Sequence, residues 1–352
     1  FINPTIFKNF SYLAYTASLL LMVFTLFFGQ EINGAKSWLR FGGFGLQSSE
    51  FMKITTILAA ANFLTSRRNI GLEQIRYALV SFLIIFVPTL LVIAQNDFGT
   101  AIIFIALIPV ILFWSGLPYG VALLIISPAI ILYLSVFSWI YGLIAMVVIT
   151  AGVFLLQRSK WLTIVSVIMG SATVVVVQLA LTKILQPHQV SRVIAFTNPS
   201  YDPTGAGWNV IQAKTPIGSG GWTGKGFLEG TQTQLRFLPE QWTDFIFCVV
   251  GEEFGFLGAS ILILVFMLFL LRLLQLSINH KNPFAQLVTL SIAAVYFVHF
   301  FINVGSATAL LPVIGIPLPF ISYGGSAFIA NTLMLAICLN MDLYKRELSI
   351  YS

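Results

Sequence analysis

The carboxylates of this sequence stand where chemistry at a membrane face would need them. In LPEQWTDFIF, Asp244 sits at the point where a polar segment turns into an apolar helix. A carboxylate bordering low dielectric has its pKa raised toward neutrality and can then act as a general base. The same place suits a helix cap, with Thr243 or Asp244 accepting from an unpaired N–H. Both readings stand on the residues alone. Glu252 and Glu253 follow; acids at membrane depth pair or line a cavity. On a straight helix Asp244 and Glu252 would be about 12 Å apart, too far to share a metal. A helix from Asp244 to Gln275 would run about 48 Å, against a hydrocarbon core of about 30 Å. Either its first turns rise above the lipid or it breaks near Gly251 or Gly255.

Other residues offer weaker chemistry, each with a structural counterpart. Glu50 and Lys53, at i and i+3, fall on one helix face and can pair; Glu50 also suits the positive end of a helix. Asp97, ahead of Gly99 and Thr100, reads as a cap. The run GSGGWTGKG, 218–226, resembles a phosphate cradle without the spacing of a P-loop. Its backbone amides and Lys225 could hold a diphosphate, as could Arg192, Lys214 and Arg236; a plain external loop is the alternative. Trp38, Trp208, Trp222 and Trp242 read as an interfacial belt, with sugar stacking as the sharper option. His188, His280 and His299 are scattered, and Cys248 and Cys338 lie in apolar segments without metal spacing. No GxSxG or HExxH motif occurs.

The elements that position these residues are membrane helices. The chain is 58% hydrophobic and 9% charged, where soluble domains carry roughly 25% charged residues. Its apolar runs are continuous rather than alternating, which excludes a barrel. A span needs about 20 apolar residues, and the sequence offers about ten: 11–29, 49–65, 76–95, 98–116, 118–137, 138–157, 160–185, 250–275, 285–305 and 323–341. We expect an all-α, polytopic transmembrane bundle forming one membrane domain over 1–352, with a long external loop at 186–244. Phe1 is not a natural start, so N-terminal sequence is expected to be missing.

The net charge of +6 does not call for nucleic acid, because basic residues cluster in short loops. Lys8, Arg67, Arg68, Arg76, Arg158, Lys160, Arg272, Lys281, Lys345 and Arg346 fall on one side if every span crosses once. That side is cytoplasmic by the positive-inside rule. The opposite face gathers 34–53, 94–100, the long loop and 310–326. Their glycines and prolines are tolerated at membrane depth only where backbone is buried in protein or lines a wet cavity.

Several stretches carry a family resemblance: NGAKSWLRFG…LQSSEFMK, QNDFGTA, TNPSYDPTGAGWNVIQAK, IGSGGWTGKGFLEGTQTQLRFLPEQWTDFIF…GEEFG and LLPVIGIPLPFISYGGS. In order, and over nearly the whole chain, the sequence resembles the SEDS family of bacterial cell-envelope proteins, closer to its elongation-type than its division-type members. The resemblance implies a peptidoglycan glycosyltransferase that polymerises lipid II on the outer face of the cytoplasmic membrane. It would work on a nascent glycan strand, beside a class B penicillin-binding protein. Asp244 is implied as the base that deprotonates the acceptor GlcNAc 4-hydroxyl. That oxygen attacks C1 of the donor MurNAc with inversion and expels undecaprenyl diphosphate.

Glu50, Lys53, Asp97, Arg192, Lys225, Glu240 and Ser322 stand as substrate-binding or supporting residues. A divalent cation, Mg²⁺ or Mn²⁺, is implied, with no visible ligand set. The chain departs from the family pattern at Ser37 (usually Arg), Ser48 and Asn96 (usually Pro), Ser306 (usually Met) and Ala309 (usually Gly). Lys36 or Arg40 could supply the cation absent at 37. Two family spans are expected before Phe1, and an extra hairpin within 118–185. A lipid-linked-precursor flippase and a non-catalytic scaffold for a penicillin-binding protein are the competing functions.

Overall fold

The computed structural model describes residues 3–32, 34–42, 44–66, 74–114, 116, 118–184, 190, 208–235 and 240–345. All ten expected spans are helices. A short α1 (Thr5–Asn9) leads into α2 (Ser11–Phe28), α3 (Ser48–Thr65), α4 (Gln74–Ala94) and α5 (Phe98–Trp114). Then come α6 (Tyr119–Phe137), α7 (Trp139–Gln157) and α8 (Lys160–Leu179), which ends in a π turn at Ala180–Ile184. The polar stretch contributes α9 (Trp208–Ser219) and the single turn α10 (Thr231–Gln234), so the expected loop at 186–244 is partly helical. The chain closes with α11 (Ile246–Asn279), α12 (Pro283–Ala307) and α13 (Gly325–Leu343).

Among the described residues, seven helices are long and apolar enough to cross a membrane, and Leu79–Ala94 and Phe98–Trp114 are shorter apolar helices. This is a multi-pass membrane protein. The remaining expected span, α3, is less apolar and well sheltered: from Ser48 to Leu64 all but Phe51 and Thr55 are buried. It packs against α2, α4, α12 and α13, so its polar residues meet protein rather than lipid.

Contacts divide the chain into two units, Phe1–Ile111 with Ala213–Ser352, and Leu112–Gln212. The second holds α6 to α8, with a core of Leu124, Ile131, Ala145, Ile149, Val153 and Val174. Its turns are tight. Ser138 caps α7 by accepting from Ile140 N, and Ser159 caps α8 by accepting from Leu162 N. The first unit carries every described candidate site residue.

A three-stranded antiparallel sheet, absent from the sequence-based expectation, follows α2. Its strands are β1 (Gln30–Ile32), β2 (Ala35–Phe41) and β3 (Phe44–Gln47), in the order β1-β2-β3. Trp38 pairs with Gln47, and the chain reverses at Gly42, where φ is 62°. On β2, Ser37 and Leu39 are buried while Lys36 and Arg40 are more exposed. The sheet therefore turns one face into the protein.

The long helix α11 does break, at Gly255 (φ 65°, ψ −162°). A break leaves helix carbonyls and amides without partners, which is costly at membrane depth. The glycine run fills the gap. Lys225 N and Gly226 N donate to Glu252 O and Glu253 O, each at 3.0 Å. In return, Phe256 N and Leu257 N donate to Gly221 O at 2.8 Å and Trp222 O at 3.1 Å. Those two carbonyls and two amides would have paired with each other four residues apart in an unbroken helix. The loop is spliced into the ladder in their place. Only glycine allows this approach: a Cβ on Gly224 would collide with Glu253 O.

Candidate active site

Asp244 lies just before α11. The helix has Phe245 as its N-cap and no side-chain cap bond, so neither Thr243 nor Asp244 serves as the cap that the sequence also allowed. Instead a turn built on Glu240 (φ 53°) presents the acid. The Glu240 carbonyl accepts from Thr243 N at 3.2 Å and Asp244 N at 3.0 Å, and Thr243 Oγ1 also donates to it at 3.1 Å. Glu240 is itself exposed. The Asp244 carboxyl is half-buried, and its pKa is raised to about 6. Desolvation is the main cause, the Glu240 carboxylate adds to it, and the Thr243 hydroxyl partly opposes them.

The segment 310–324 wraps this acid. It has no regular secondary structure and contains Pro312, Pro317 and Pro319. Ser322 Oγ donates to Thr243 O at 2.6 Å and accepts from Leu318 N at 2.8 Å. Tyr323 N donates to Trp242 O at 2.9 Å. Asn303 on α12 donates to both Asp244 O at 3.0 Å and Ile316 O at 2.9 Å. Gly315 faces the carboxylate itself, its missing Cβ lying 3.2 Å from Asp244 Oδ2. Beside the acid, Trp242, Ile246, Ile321 and Tyr323 line an open apolar groove of about 450 Å³. Both hydrogen bonds of the Ser322 hydroxyl are thus made to backbone.

The four stretches expected on one face do meet. Lys36 N on β2 donates to Gln95 O at 2.9 Å. Gln47, at the end of β3, reaches two ways: its N donates to Ser326 Oγ at 3.0 Å and its Nε2 to Asp97 Oδ2 at 2.9 Å. Asp97 also caps α5, accepting from Thr100 N at 3.0 Å and Thr100 Oγ1 at 2.9 Å. Gly99 in the first turn of α5 approaches Ile314 so closely that a Cβ would stand 3.2 Å from its carbonyl oxygen. Asp97 therefore ties the sheet and α5 together behind the segment that carries Gly315.

Glu50 and Lys53 form the expected pair, at 2.9 Å, but both are sealed from solvent: Glu50 is 2% and Lys53 0% exposed. Neither presents its charge at the surface. Lys53 Nζ also contacts His299 Nε2 at 3.1 Å, and His299 Nδ1 lies 3.0 Å from Pro317 O. His299, Asn303, Gln47 and Gly315 were not singled out from the sequence. Their partners are far away along the chain, and only the Gly and Pro density of 310–326 hinted at the region.

Lys225 is engaged by protein groups through both its side chain and its amide. Its ammonium bonds Glu252 Oε1 and Thr231 Oγ1, each at 2.7 Å, and its amide is used in the splice at Gly255. Glu252 accepts further from Gln232 N at 2.9 Å and from Thr233 N at 3.0 Å. This acid thus anchors α10 and the loop, and the run 218–226 is a structural splice in place of an open phosphate cradle. Glu253 is buried, and its Oε1 has no hydrogen-bond partner among the described residues. Trp222 and Trp242 are exposed, and Trp38 is half-buried. Lys214 is exposed, while Arg192 and Arg236 lie outside the described residues.

The family model described as cell cycle protein FtsW/RodA/SpoVE matches residues 1–144 and 140–347. The chain belongs to this family. Among curated relatives, the peptidoglycan glycosyltransferase RodA of Treponema pallidum is 33% identical over 376 residues, covering 97% of this chain and 84% of the relative. The peptidoglycan glycosyltransferase MrdB of Escherichia coli is 33% identical over 348 residues, covering 99% and 82%. The fold agrees. The rod shape determining protein RodA of Thermus thermophilus aligns with a TM-score of 0.59 at 23% identity, over 96% of this chain and 79% of that one. A chain from a structure concerning polymerization and crosslinking by a peptidoglycan synthase complex aligns at 0.68, with 23% identity, over 98% and 84%.

Proposed function

We propose that this chain is a peptidoglycan glycosyltransferase that polymerises lipid II, and that Asp244 is its base. The observation that carries the assignment is the setting of Asp244. It is a half-buried carboxyl with a pKa near 6, aimed at a glycine and fixed on both sides by backbone hydrogen bonds, beside an apolar groove at the head of a membrane helix. Such a group is ionised at neutral pH yet basic enough to take a proton from a hydroxyl in the transition state.

The reaction is a single displacement. Asp244 accepts the proton of the acceptor GlcNAc 4-hydroxyl as that oxygen bonds to C1 of the donor MurNAc. The C1–O bond to the undecaprenyl diphosphate breaks, and the configuration at C1 inverts. One base suffices because the diphosphate leaves without being protonated by a second acid. Among the described residues no three His, Cys, Asp or Glu side chains come together. The described residues therefore form no protein cage for the implied Mg²⁺ or Mn²⁺, and no step above passes through one.

The ten basic residues of the short loops support a cytoplasmic side opposite Asp244. We accordingly place the site on the outer face of the bacterial cytoplasmic membrane, with a class B penicillin-binding protein as the crosslinking partner. Family membership and the structural neighbour from a synthase complex support that partner. The test is glycan-strand synthesis from labelled lipid II in liposomes, with the partner's transpeptidase blocked. Wild type should make polymer and Asp244→Asn none. Polymer from the Asn variant at the wild-type rate would remove Asp244 as the base.

A further inference from the structure

We propose that His299 is a positioning residue for the base Asp244, set in one tautomer by the buried Glu50–Lys53 pair. The inference rests on the glycosyltransferase reading of the same site. The segment facing Asp244 holds itself only near its end, where Ser322 N donates to Leu318 O at 2.9 Å and Leu318 N donates to Ser322 Oγ at 2.8 Å. Its three prolines have no N–H, so its other carbonyls need donors from elsewhere. Helix α12 supplies them from one face. His299, Asn303 and Ser306, at i, i+4 and i+7, lie against Pro317 O at 3.0 Å, Ile316 O at 2.9 Å and Pro312 O at 3.0 Å. Asn303 holds the Asp244 carbonyl with its other hydrogen. Gly315, which faces the carboxylate, lies between these attachments.

His299 can lose its role without being removed. A neutral imidazole has one N–H and one lone pair, and the wrong tautomer would set a lone pair against the Pro317 carbonyl. The Pro317 carbonyl, which only accepts, favours the proton on Nδ1, and Lys53 enforces that choice from the other side of the ring. An ammonium only donates, so the contact at 3.1 Å makes Nε2 the acceptor and leaves the proton on Nδ1, facing Pro317 O. Glu50 in turn holds Lys53 at 2.9 Å. All three groups are buried, His299 and Lys53 at 0% exposure, so none of them touches substrate. A pair on α3 thus fixes a histidine on α12, and that histidine fixes the segment against Asp244.

The test compares His299→Ala, His299→Asn and His299→Gln with wild type and Asp244→Asn in the liposome assay with labelled lipid II. Amounts are matched by monodisperse protein. An asparagine amide is attached at Cγ, as Nδ1 is, and can donate to Pro317 O; the longer glutamine places its amide at the Nε2 end. The expected result is a loss in kcat of about 10²-fold for Ala, the cost of a base misplaced by an ångström. KM should stay within about twofold and the Asn variant should regain most of the rate. If Ala fails to fold, Asn well above Gln is the expected outcome.

Wild-type kcat in His299→Ala overturns the proposal. So does a loss that Asn does not rescue, or Gln equal to Asn, because either marks a packing role. A wild type that makes no polymer, or an active Asp244→Asn, removes the glycosyltransferase reading and this inference with it.

Discussion

Gly315 lies against the carboxylate of Asp244, so near that a Cβ there would stand 3.2 Å from Oδ2. Its φ of +81° adds a second constraint, since an L residue in the left-handed region costs about 1–2 kcal/mol. Gly315→Ala therefore strains the segment and presses on the acid together. We expect polymer synthesis to fall about tenfold or more, with only a few degrees lost in Tm. Parallel rate and thermal-melt measurements check this; an Ala variant with wild-type kcat would show that the contact does not bear on the base.

The raised pKa of Asp244 gives the pH profile a sign. The ionised form is the base, so the rate should fall as pH drops through about 6, well above the 3.8 of an unperturbed carboxyl. Glu240 raises the value, so Glu240→Gln should move the acid limb of kcat to lower pH. Stability runs the other way. Between 3.8 and about 6 the folded state binds the proton more readily than the unfolded state, so stability declines as pH rises across that window and stays lower above it. Asp244→Asn removes that cost. At neutral pH it should be inactive yet melt no lower than wild type; a lower Tm would mean that the carboxylate is structural.

The buried pair makes a different prediction. Lys53→Met leaves Glu50 as an uncompensated charge, which costs about 3–5 kcal/mol. Glu50 Oε2 already lacks a hydrogen-bond partner among the described residues, so nothing nearby can take up the loss. The double variant Glu50→Gln/Lys53→Met removes both charges and should regain most of the stability. Its kcat should stay low, because His299 loses the donor that holds Nε2 and enforces the tautomer facing Pro317 O. Thermal unfolding in detergent and the polymerisation assay together read the two effects; a double variant with full activity would separate the pair from the site.

What the sequence disclosed follows how local each signal is. Continuous apolar runs located ten helices, and the i, i+3 spacing gave the Glu50–Lys53 contact. The order Asp97-Phe98-Gly99-Thr100 gave the cap of α5. Length alone required α11 to rise or break, and Gly255 was one of two candidate positions. His299 was not legible as a partner of Lys53, because the two are 246 residues apart and nothing local marks either one. The sheet at 30–47 was missed, although buried Ser37 and Leu39 alternate with more exposed neighbours on β2. Its strands are too short to stand out beside membrane helices. The glycines of 218–226 suggest either a plain external loop or backbone open to a phosphate. Those amides are taken up by carbonyls that become available only through the break at Gly255, a tertiary event.

That break yields the last prediction. At φ 65° and ψ −162°, Gly255 occupies a region that is essentially closed to other residues, at a cost of about 1–3 kcal/mol if forced. A Cβ there would also meet Thr223 N and Trp222 C at 2.8 Å. These are backbone atoms, which cannot swing aside. Gly255→Ala has a cheaper route. If residue 255 becomes helical, Phe256 N and Leu257 N can return to Glu252 O and Glu253 O, closing the ladder and expelling the loop. Helix content should hold or rise, while the amides of Lys225 and Gly226 lose their acceptors. Hydrogen–deuterium exchange should then speed up across 219–226 and remain slow along α11. Polymer synthesis should fall as well, because the loop is joined to the helix that begins just after Asp244. Unchanged protection at Lys225 and Gly226 would show that the splice tolerates a side chain and that the break does not depend on glycine.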